Sequence, residues 1–330
     1  PPPPLFSPRS RNTRFGFKSR GLGDVYKRQL YRNRGDGTFE DIAPQLGIDS
    51  PNFNFGLALE DFNNDGHTDV YIPKWQQTPQ GPSGLFLNMG DGTLLDVSMA
   101  SGMTGQTDMG HNTGDINLDG YTDIFIGTGA PRFDDTDQLL LITPDETVGI
   151  RVTDYSDESG ILALGGSRCH GIVFGDYDRD GDLDIYLNNG GPGSSPTTIE
   201  NNHLLRNDGP LVPWAAITLV GTESNRDGIG AKCVATTSSG REIHRMHRSG
   251  NGFCNTNPAE VWFGPGEGNV ITRIDITWPS GIQQAVVNPP MGMITTVVEQ
   301  SCVGDVNGLS LIHISEPTRH ICLSRMPSSA

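Results

Sequence analysis

Apolar residues occur along this chain in short runs, and segments rich in glycine, asparagine and aspartate separate one run from the next. Several runs alternate apolar and polar side chains with a period of two, which is typical of strands that bury one face. The 43 glycines and 23 prolines supply turns, and only 19% of the residues are charged. The pattern therefore predicts an all-β protein of many short strands rather than long helices.

An internal repeat organises the first two thirds of the chain. Three blocks, each with an Asp-rich loop between two strand-like runs, are Gly56–Ile72, Gly110–Ile126 and Gly171–Leu187. A second element recurs between the blocks, as Leu30–Phe39, Leu85–Leu94 and, in degenerate form, Leu204–Gly209. Its Asp-Gly pair between apolar residues predicts a hairpin with a type I′ turn, which needs positive φ at both central positions. Four short strands per repeat predict about three blades of a partial β-propeller across residues 30–210.

The segment from 211 to 300 has a different pattern and is predicted to form a small β-sandwich-like domain. Its strand-like runs, separated by Gly and Pro-Ser-Gly turns, are Ala216–Val220, Ala231–Thr236, Glu242–His247, Val270–Trp278 and Met293–Glu299. His244 and His247 are interpreted as surface strand residues. Residues Asn225, Arg226 and Asp227 are interpreted as a turn, with a ligand-contacting loop as the alternative. Cys233 and Cys254 could pair across adjacent strands or remain unpaired.

Both ends of the chain read as foreign sequence. Ser19–Gln29 and Leu309–His320 resemble one DNA-library adapter translated from opposite strands. We therefore expect residues 1–29 and 309–330 to be adapter-derived and disordered, and any signal peptide to be missing. The short stretch 301–308 resembles the start of a dockerin-like repeat.

The charge balance narrows the possible partners. The formal net charge is −16 and the isoelectric point is about 4.7. Such a chain repels nucleic acid and anionic membranes and attracts cations. No apolar run approaches the roughly 18 residues that a membrane-spanning helix needs. The sequence therefore predicts neither nucleic-acid binding nor membrane insertion.

The Asp-rich loops carry the candidate chemistry, and we number them loop 1 (residues 61–69), loop 2 (115–123) and loop 3 (176–184). They share the pattern Asp-x-[Asn/Asp]-x-Asp-Gly-x-x-Asp, in which the glycine permits a sharp turn. Alternate oxygen ligands on such a turn suit Ca²⁺, which accepts about six to eight oxygens. The predicted ligands are side chains at positions one, three, five and nine and the backbone carbonyl at position seven: Asp61, Asn63, Asp65, His67 and Asp69; Asp115, Asn117, Asp119, Tyr121 and Asp123; Asp176, Asp178, Asp180, Asp182 and Asp184.

The loops differ from other known metal-binding motifs. An EF-hand would place a bidentate Glu six positions after the glycine and flank the loop with helices. The lack of cysteine and histidine side-chain ligands argues against zinc and copper. The remaining alternative is a set of solvated turns without metal. Asp134, Asp135 and Asp137 do not fit the loop pattern and are expected to be surface acids.

These motifs resemble known families. The Asp-rich hairpins and Gly-Asp-Gly-Thr turns from Leu30 to about Gly209 resemble FG-GAP/VCBS repeats, the blades of integrin-α-type propellers. The segment from Trp214 to Val298 resembles the ASPIC/UnbV domain, which occurs in the cartilage acidic protein family and in bacterial exported proteins. The residues that carry this second resemblance are Gly221–Ala231, Ser249–Phe253, Trp262–Gly264 and Trp278–Gly281. The resemblance implies an extracytoplasmic location, calcium in the propeller loops and a role in adhesion or binding.

The sequence favours an extracellular calcium-binding repeat protein that acts as a non-catalytic adhesion or ligand-binding module for a protein or glycan. One alternative is a polysaccharide-active enzyme on a propeller scaffold. However, no Gly-x-Ser-x-Gly, His-Glu-x-x-His, P-loop or dinucleotide motif is found. A structural surface-layer protein is the other alternative.

Overall fold

The computed structural model describes residues 28–49, 56–74, 83–104, 110–128, 136–165, 168–190, 201–209, 212–250, 252, 254–300 and 320–322. The chain divides into two compact units, Pro1–Asn52 and Phe53–Ala330. The described part is almost entirely β-structure, with one short 3₁₀ helix at Ile161–Leu164. Among the described residues, none of the helical structure is long and apolar enough to span a membrane.

The described residues of the first unit form an antiparallel hairpin of β1 (Tyr31–Asn33) and β2 (Phe39–Asp41). The predicted hairpin is confirmed, but the predicted type I′ turn is wrong. Positive φ occurs at Gly35 and Gly37, at 80° and 86°, and not at the aspartate between them. The Asp36 carboxylate instead accepts hydrogen bonds from the backbone N–H and hydroxyl of Thr38, at 2.9 and 2.6 Å. A longer loop closed by this side chain thus replaces the two-residue turn.

The second unit begins with three antiparallel sheets that follow one another along the chain. Blade 1 has four strands, in the order β3 (Ala58–Glu60), β4 (Asp69–Ile72), β5 (Gly84–Asn88) and β6 (Leu94–Asp96). Blade 2 also has four, β7 (Gly110–Gly114), β8 (Asp123–Gly127), β9 (Gln138–Asp145) and β10 (Gly149–Asp154). Three described strands form blade 3, namely β11 (Cys169–Gly175), β12 (Asp184–Asn189) and β13 (His203–Leu205).

The three blades pack face to face. Because side chains alternate across a strand, β8 contributes to two cores. Ile124 and Ile126 join a cluster with Tyr71 and Leu85 of blade 1. Phe125 lies in the other cluster, with side chains of blade 3 such as Phe174. The middle blade is thus buried on both faces, as expected for propeller-like stacking, and the fold-class prediction is confirmed.

The C-terminal part of the unit is a pair of sheets around one core. One sheet has the order β17 (Glu260–Phe263), β14 (Ala215–Val220) and β20 (Ile294–Val298). The other has the order β16 (Glu242–Met246), β15 (Lys232–Thr237), β18 (Ile271–Thr277), β19 (Gln283–Val287) and β21 (His320–Cys322). Trp278, Phe263 and Cys233 are buried in the shared core. The five predicted strands are present, and the sequence missed β17 and β19.

The cysteines and Asp137 bear on two further predictions from the sequence. Cys233 and Cys254 are free thiols, so these two cysteines do not pair with each other. Cys233 points into the core, whereas Cys254 lies exposed in a loop at a φ of 58°. Asp137 was expected at the surface but is buried, and its carboxylate accepts a hydrogen bond from the Thr128 N–H at 2.8 Å. Residues 134 and 135 lie outside the described residues.

The strand β21 lies in the segment that we attributed to an adapter, and it pairs with β19. The foreign origin of residues 1–29 and 309–330 and the domain limits stay predictions. Residues 301–308, with the dockerin-like resemblance, lie outside the described residues.

Candidate metal centre

Each Asp-rich loop connects the first and second strands of a blade, and the three loops share an unusual backbone. The fourth position has positive φ in each loop, at Asn64 (57°), Leu118 (55°) and Arg179 (64°). The glycine at the sixth position is also left-handed, with φ of 88°, 92° and 107° at Gly66, Gly120 and Gly181. A left-handed residue that is not glycine costs about 1–2 kcal/mol. The loops therefore hold a strained conformation that the sequence indicated only at the glycine.

The ninth-position aspartate fastens each loop to its own blade. In loop 2, Asp123 Oδ2 accepts the Ile116 N–H at 3.0 Å, and Oδ1 accepts the Ile142 N–H of the third strand at 2.8 Å. In loop 1, Asp69 accepts the corresponding hydrogen bonds from the Phe62 and Asn88 N–H groups, at 2.9 and 2.8 Å. Asp184 receives them from Tyr177 and Asn207, at 3.0 and 2.9 Å. The ninth position thus has a structural role beside its predicted role as a ligand.

The side chains predicted as ligands at positions one, three and five form hydrogen bonds within their own loop. Asp61 accepts the N–H groups of Asp65 and Gly66, at 3.1 and 2.8 Å. In loop 2, Gly120 N–H donates to Asp115 at 3.0 Å, and Tyr121 N–H donates to Asp119 at 2.8 Å. Two further bonds link position three to position five, from the Asn63 amide to Asp65 at 2.9 Å and from the Asn117 amide to Asp119 at 3.0 Å. These bonds hold the side chains at positions one, three and five of loops 1 and 2 against their own loop, and their role as metal ligands stays a prediction.

Loop 3 brings carboxylates closest to a metal-binding geometry. One oxygen each of Asp176, Asp178 and Asp184 lies within 4.8 Å of the other two. Asp182, whose backbone carbonyl was the predicted ligand, is 6% exposed, and its side-chain Oδ1 is buried without a hydrogen-bond partner. In loop 2, Asp115 Oδ1 is likewise buried and unpartnered. Orphaned carboxylate oxygens suit a hard cation such as Ca²⁺, so the residues present fit the predicted metal.

The seventh position differs among the three loops. His67 is exposed, Tyr121 is half-buried, and Asp182 is buried. The Arg241 guanidinium lies 5.3 Å from the centre of the Tyr121 ring. Metal coordination by the backbone carbonyls of these three residues stays a prediction.

The loops concentrate negative charge where water is scarce. Burial is the main cause that raises the pKa of Asp69, Asp115 and Asp182 to about 7, and neighbouring loop aspartates add to it. Burial also raises the pKa of Asp123 well above its ordinary value, with the charges of Asp115 and Asp119 as further causes. A bound cation would offset this unfavourable clustering of carboxylates.

Hydrogen bonds from the C-terminal domain reach loops 1 and 2, a contact that the sequence did not indicate. Arg245 Nη2 donates to Asp115 Oδ2 at 3.1 Å. Arg241 Nη2 donates to the Asp119 carbonyl at 2.6 Å. The His244 N–H donates to Asn64 Oδ1 at 3.1 Å. His247 is buried rather than at the surface, so that interpretation was wrong, because this side of the domain packs against the blades.

Asparagine side chains complete the contact between the domain and the blades. Asn255 accepts the Ile172 N–H of blade 3 at 2.7 Å and donates to the His111 carbonyl of blade 2. Asn257 accepts a hydrogen bond from the Asn112 amide at 2.6 Å. No local signal marks these two residues as interdomain contacts, since their partners lie far away in the sequence.

Comparison with known proteins found family matches in both the N-terminal and the C-terminal part of the chain. The family model described as "ASPIC and UnbV" matches residues 221–303, and the FG-GAP-like repeat model matches residues 22–72. Human cartilage acidic protein 1 is 28% identical over 281 residues, which cover 82% of this chain and 40% of that protein.

The mouse protein of the same name is 26% identical over 276 residues, covering 82% of this chain and 41% of that protein. The Xenopus tropicalis protein of that name is 27% identical over 263 residues, covering 76% of this chain and 38% of that protein. The chain thus spans about two fifths of the length of the curated relatives it matches. The resemblance to FG-GAP-like repeats and to the ASPIC/UnbV domain is confirmed.

Proposed function

We propose that this chain is a non-catalytic, calcium-stabilised binding module of an extracellular protein, and that its ligand is a protein or a glycan. The single observation that carries the calcium proposal is the convergence of Asp176, Asp178 and Asp184 in loop 3. Loops 1 and 2 repeat the same backbone, which supports a common chemistry. The similarity to proteins named for cartilage supports a location outside the cell and a role without catalysis.

Calcium binding is tested by isothermal titration and by thermal unfolding with Ca²⁺ or EDTA. We expect the wild type to bind Ca²⁺, and Asp178→Ala to lose one site because it removes the oxygen ligand at the third position of loop 3; asparagine at that position would only recreate the pattern of loops 1 and 2. Saturation at about 100 times the dissociation constant stabilises a protein by about 2.7 kcal/mol per site. For a unit of this size, that raises the melting temperature by about 5–10 °C.

The matched control is Asp157→Ala, which makes the same change at an exposed aspartate outside the loops. This variant should keep every site and the full calcium-dependent shift. Absence of binding heat in the wild type, together with one melting temperature in Ca²⁺ and EDTA, would contradict the proposal.

Among the possible ligands, a glycan is favoured by a groove that lies beside loop 3. It has a volume of about 630 Å³, and Asp176, Asp184 and Tyr177 lie along it. Trp214 and Trp262 also line it, with ring centroids 4.6 Å apart. Aromatic faces next to a few polar groups are typical of small-molecule sites. Calcium at loop 3 would add a cation that sugar hydroxyls can approach.

The ligand is tested on a glycan array, with Ca²⁺ and with EDTA. We expect calcium-dependent binding that falls at least about tenfold in Tyr177→Ala, since 54% of that side chain is exposed to a ligand. The control is Tyr155→Ala, an exposed tyrosine outside the groove. Turnover of a bound polysaccharide would instead support the enzyme alternative, and self-assembly without a ligand the surface-layer alternative.

A further inference from the structure

The C-terminal domain places a guanidinium on a predicted metal ligand of loop 2. Arg245 Nη2 lies 3.1 Å from Asp115 Oδ2 and 3.2 Å from the Gly120 carbonyl, which belongs to the same loop. The side chains of Arg245 and Asp115 are 11% and 1% exposed, so water screens this pair poorly. The contact joins residues that are 130 positions apart.

The arginine is held by its own domain as well as by the loop. Arg245 Nη1 donates to the His244 carbonyl at 3.0 Å, within strand β16. Arg241, at the start of the same hairpin arm, bonds the Asp119 carbonyl and also the Pro265 carbonyl of its own domain, at 2.9 Å. The positive charge therefore reaches loop 2 only together with the seated C-terminal domain.

Loops 1 and 3 differ from loop 2 in this respect. Among the described ion pairs, none joins an arginine or lysine to an aspartate of loop 1 or loop 3. The Arg248 guanidinium pairs with Glu60, which precedes loop 1, at 2.7 Å. In loop 3, no described ion pair joins an arginine or lysine to Asp176, Asp178 or Asp184, although Arg179 belongs to the loop and the exposed Arg206, which pairs with Asp208, also senses the charge of Asp178.

We propose that Arg245 is a resident counter-ion of loop 2, which stabilises the metal-free loop and makes it a weaker calcium site than loop 3. The inference rests on the proposed calcium binding. A cation beside a ligand carboxylate offsets the repulsion among Asp115, Asp119 and Asp123 when no metal is present. When Ca²⁺ arrives, the same charge repels it. A group that stabilises the metal-free state more than the metal-bound state lowers affinity for the metal.

Through Arg245, the C-terminal domain then stabilises a loop of the neighbouring blade. Seating of the domain supplies loop 2 with a buried positive charge beside a ligand carboxylate, and no described ion pair supplies one to the aspartates of loop 3. Loop 2 should thus stay folded at calcium concentrations at which loop 3 is largely empty.

The test measures terbium luminescence in the full chain, with Ca²⁺ as the competitor. Tyr121 in loop 2 serves as one antenna, and Trp214, which lies against Gly181 of loop 3, serves as the other; emission lost on Tyr121→Phe or Trp214→Phe is assigned to the corresponding loop. Arg245→Gln should raise Ca²⁺ affinity at loop 2 by about tenfold, which corresponds to about 1.4 kcal/mol. Affinity at loop 3 should not change.

Thermal unfolding provides a second readout that does not depend on bound metal. Arg245→Gln should lower the melting temperature in EDTA by about 5 °C, and by less in saturating Ca²⁺. Arg245→Lys keeps the charge and should stay close to wild type in both readouts. Arg226→Gln removes an exposed guanidinium from the same domain and should change neither.

Unchanged or weaker affinity at loop 2 in Arg245→Gln, with loop 3 still binding, would overturn the inference and leave calcium binding intact. Failure of every loop to bind in the wild type would overturn the proposed function as well. If Arg245→Gln does not fold, Arg245→Met, which retains much of the apolar stem, is measured against the same expectations.

Discussion

Replacing Asp123 with alanine is expected to destabilise the second unit by about 3–5 kcal/mol, even in EDTA. The side chain is fully buried and accepts the Ile116 and Ile142 N–H groups at 3.0 and 2.8 Å. Alanine leaves both donors buried without an acceptor, at a cost of about 1–3 kcal/mol each. It also leaves a small cavity between loop 2 and strand β9. Urea denaturation followed by circular dichroism measures the loss.

The buried negative charge of Asp123 lowers stability, whereas its hydrogen bonds raise it. Two further variants separate these effects. Asp123→Asn keeps one acceptor and removes the crowded charge, so in EDTA it should cost less than alanine. Asp178→Ala makes the same formal charge change at an exposed site of loop 3, and in EDTA it should stay within about 0.5 kcal/mol of wild type. An Asp123→Ala protein as stable as Asp178→Ala would show that the ninth position does not fasten the loop.

Replacing Glu299 with glutamine is expected to cost the C-terminal domain about 3 kcal/mol at pH 7. The Glu299 carboxylate is almost fully buried, and its Oε2 accepts the N–H groups of Thr222, Glu223 and Ser224 at 2.7–2.8 Å. Oε1 accepts the hydroxyls of Ser224 and Ser280, at 2.8 and 2.5 Å. A glutamine amide would set N–H donors against either the three backbone donors or the two hydroxyls. Differential scanning calorimetry measures the effect.

The pH dependence of stability gives an independent check on Glu299. Burial by itself would raise its pKa, but the hydrogen bonds from Ser224, Ser280 and Thr222 outweigh burial and lower the pKa to about 2. The lowered pKa means that this contribution is complete above the ordinary value of 4.5 and is lost as the pH falls from there toward 2.

Glu299→Gln should lack that part of the acid destabilisation. Glu223→Gln, an exposed neighbour, should retain it and should resemble wild type at pH 7. Equal acid sensitivity in wild type and Glu299→Gln would contradict the assignment.

Local sequence determined the strands and loops of this protein because their signals lie within a few residues. Alternation predicted the five C-terminal strands to within a residue or two at each end. The repeat spacing predicted the Asp-rich hairpins, since glycine at the sixth position marks a turn that other residues adopt only with strain. The sequence missed β17, which is only four residues long, and β19, which begins with two glutamines. In both strands, tertiary burial outweighs a weak local pattern.

Tertiary structure alone decided how the loops are held and what covers them. The strain at Asn64, Leu118 and Arg179 has no residue-type signature, because unrelated side chains occupy the same position. The contacts of Asp123 with Ile142 and of Glu299 with Thr222 depend on strand pairing and sheet packing. Arg245 could not be assigned to loop 2 from the sequence, since its charge meets Asp115 only when two separate domains pack together. The sequence thus determined which loops carry the oxygen ligands for a cation. The packing of the domains determined that loop 2 has the positive charge of Arg245 beside it.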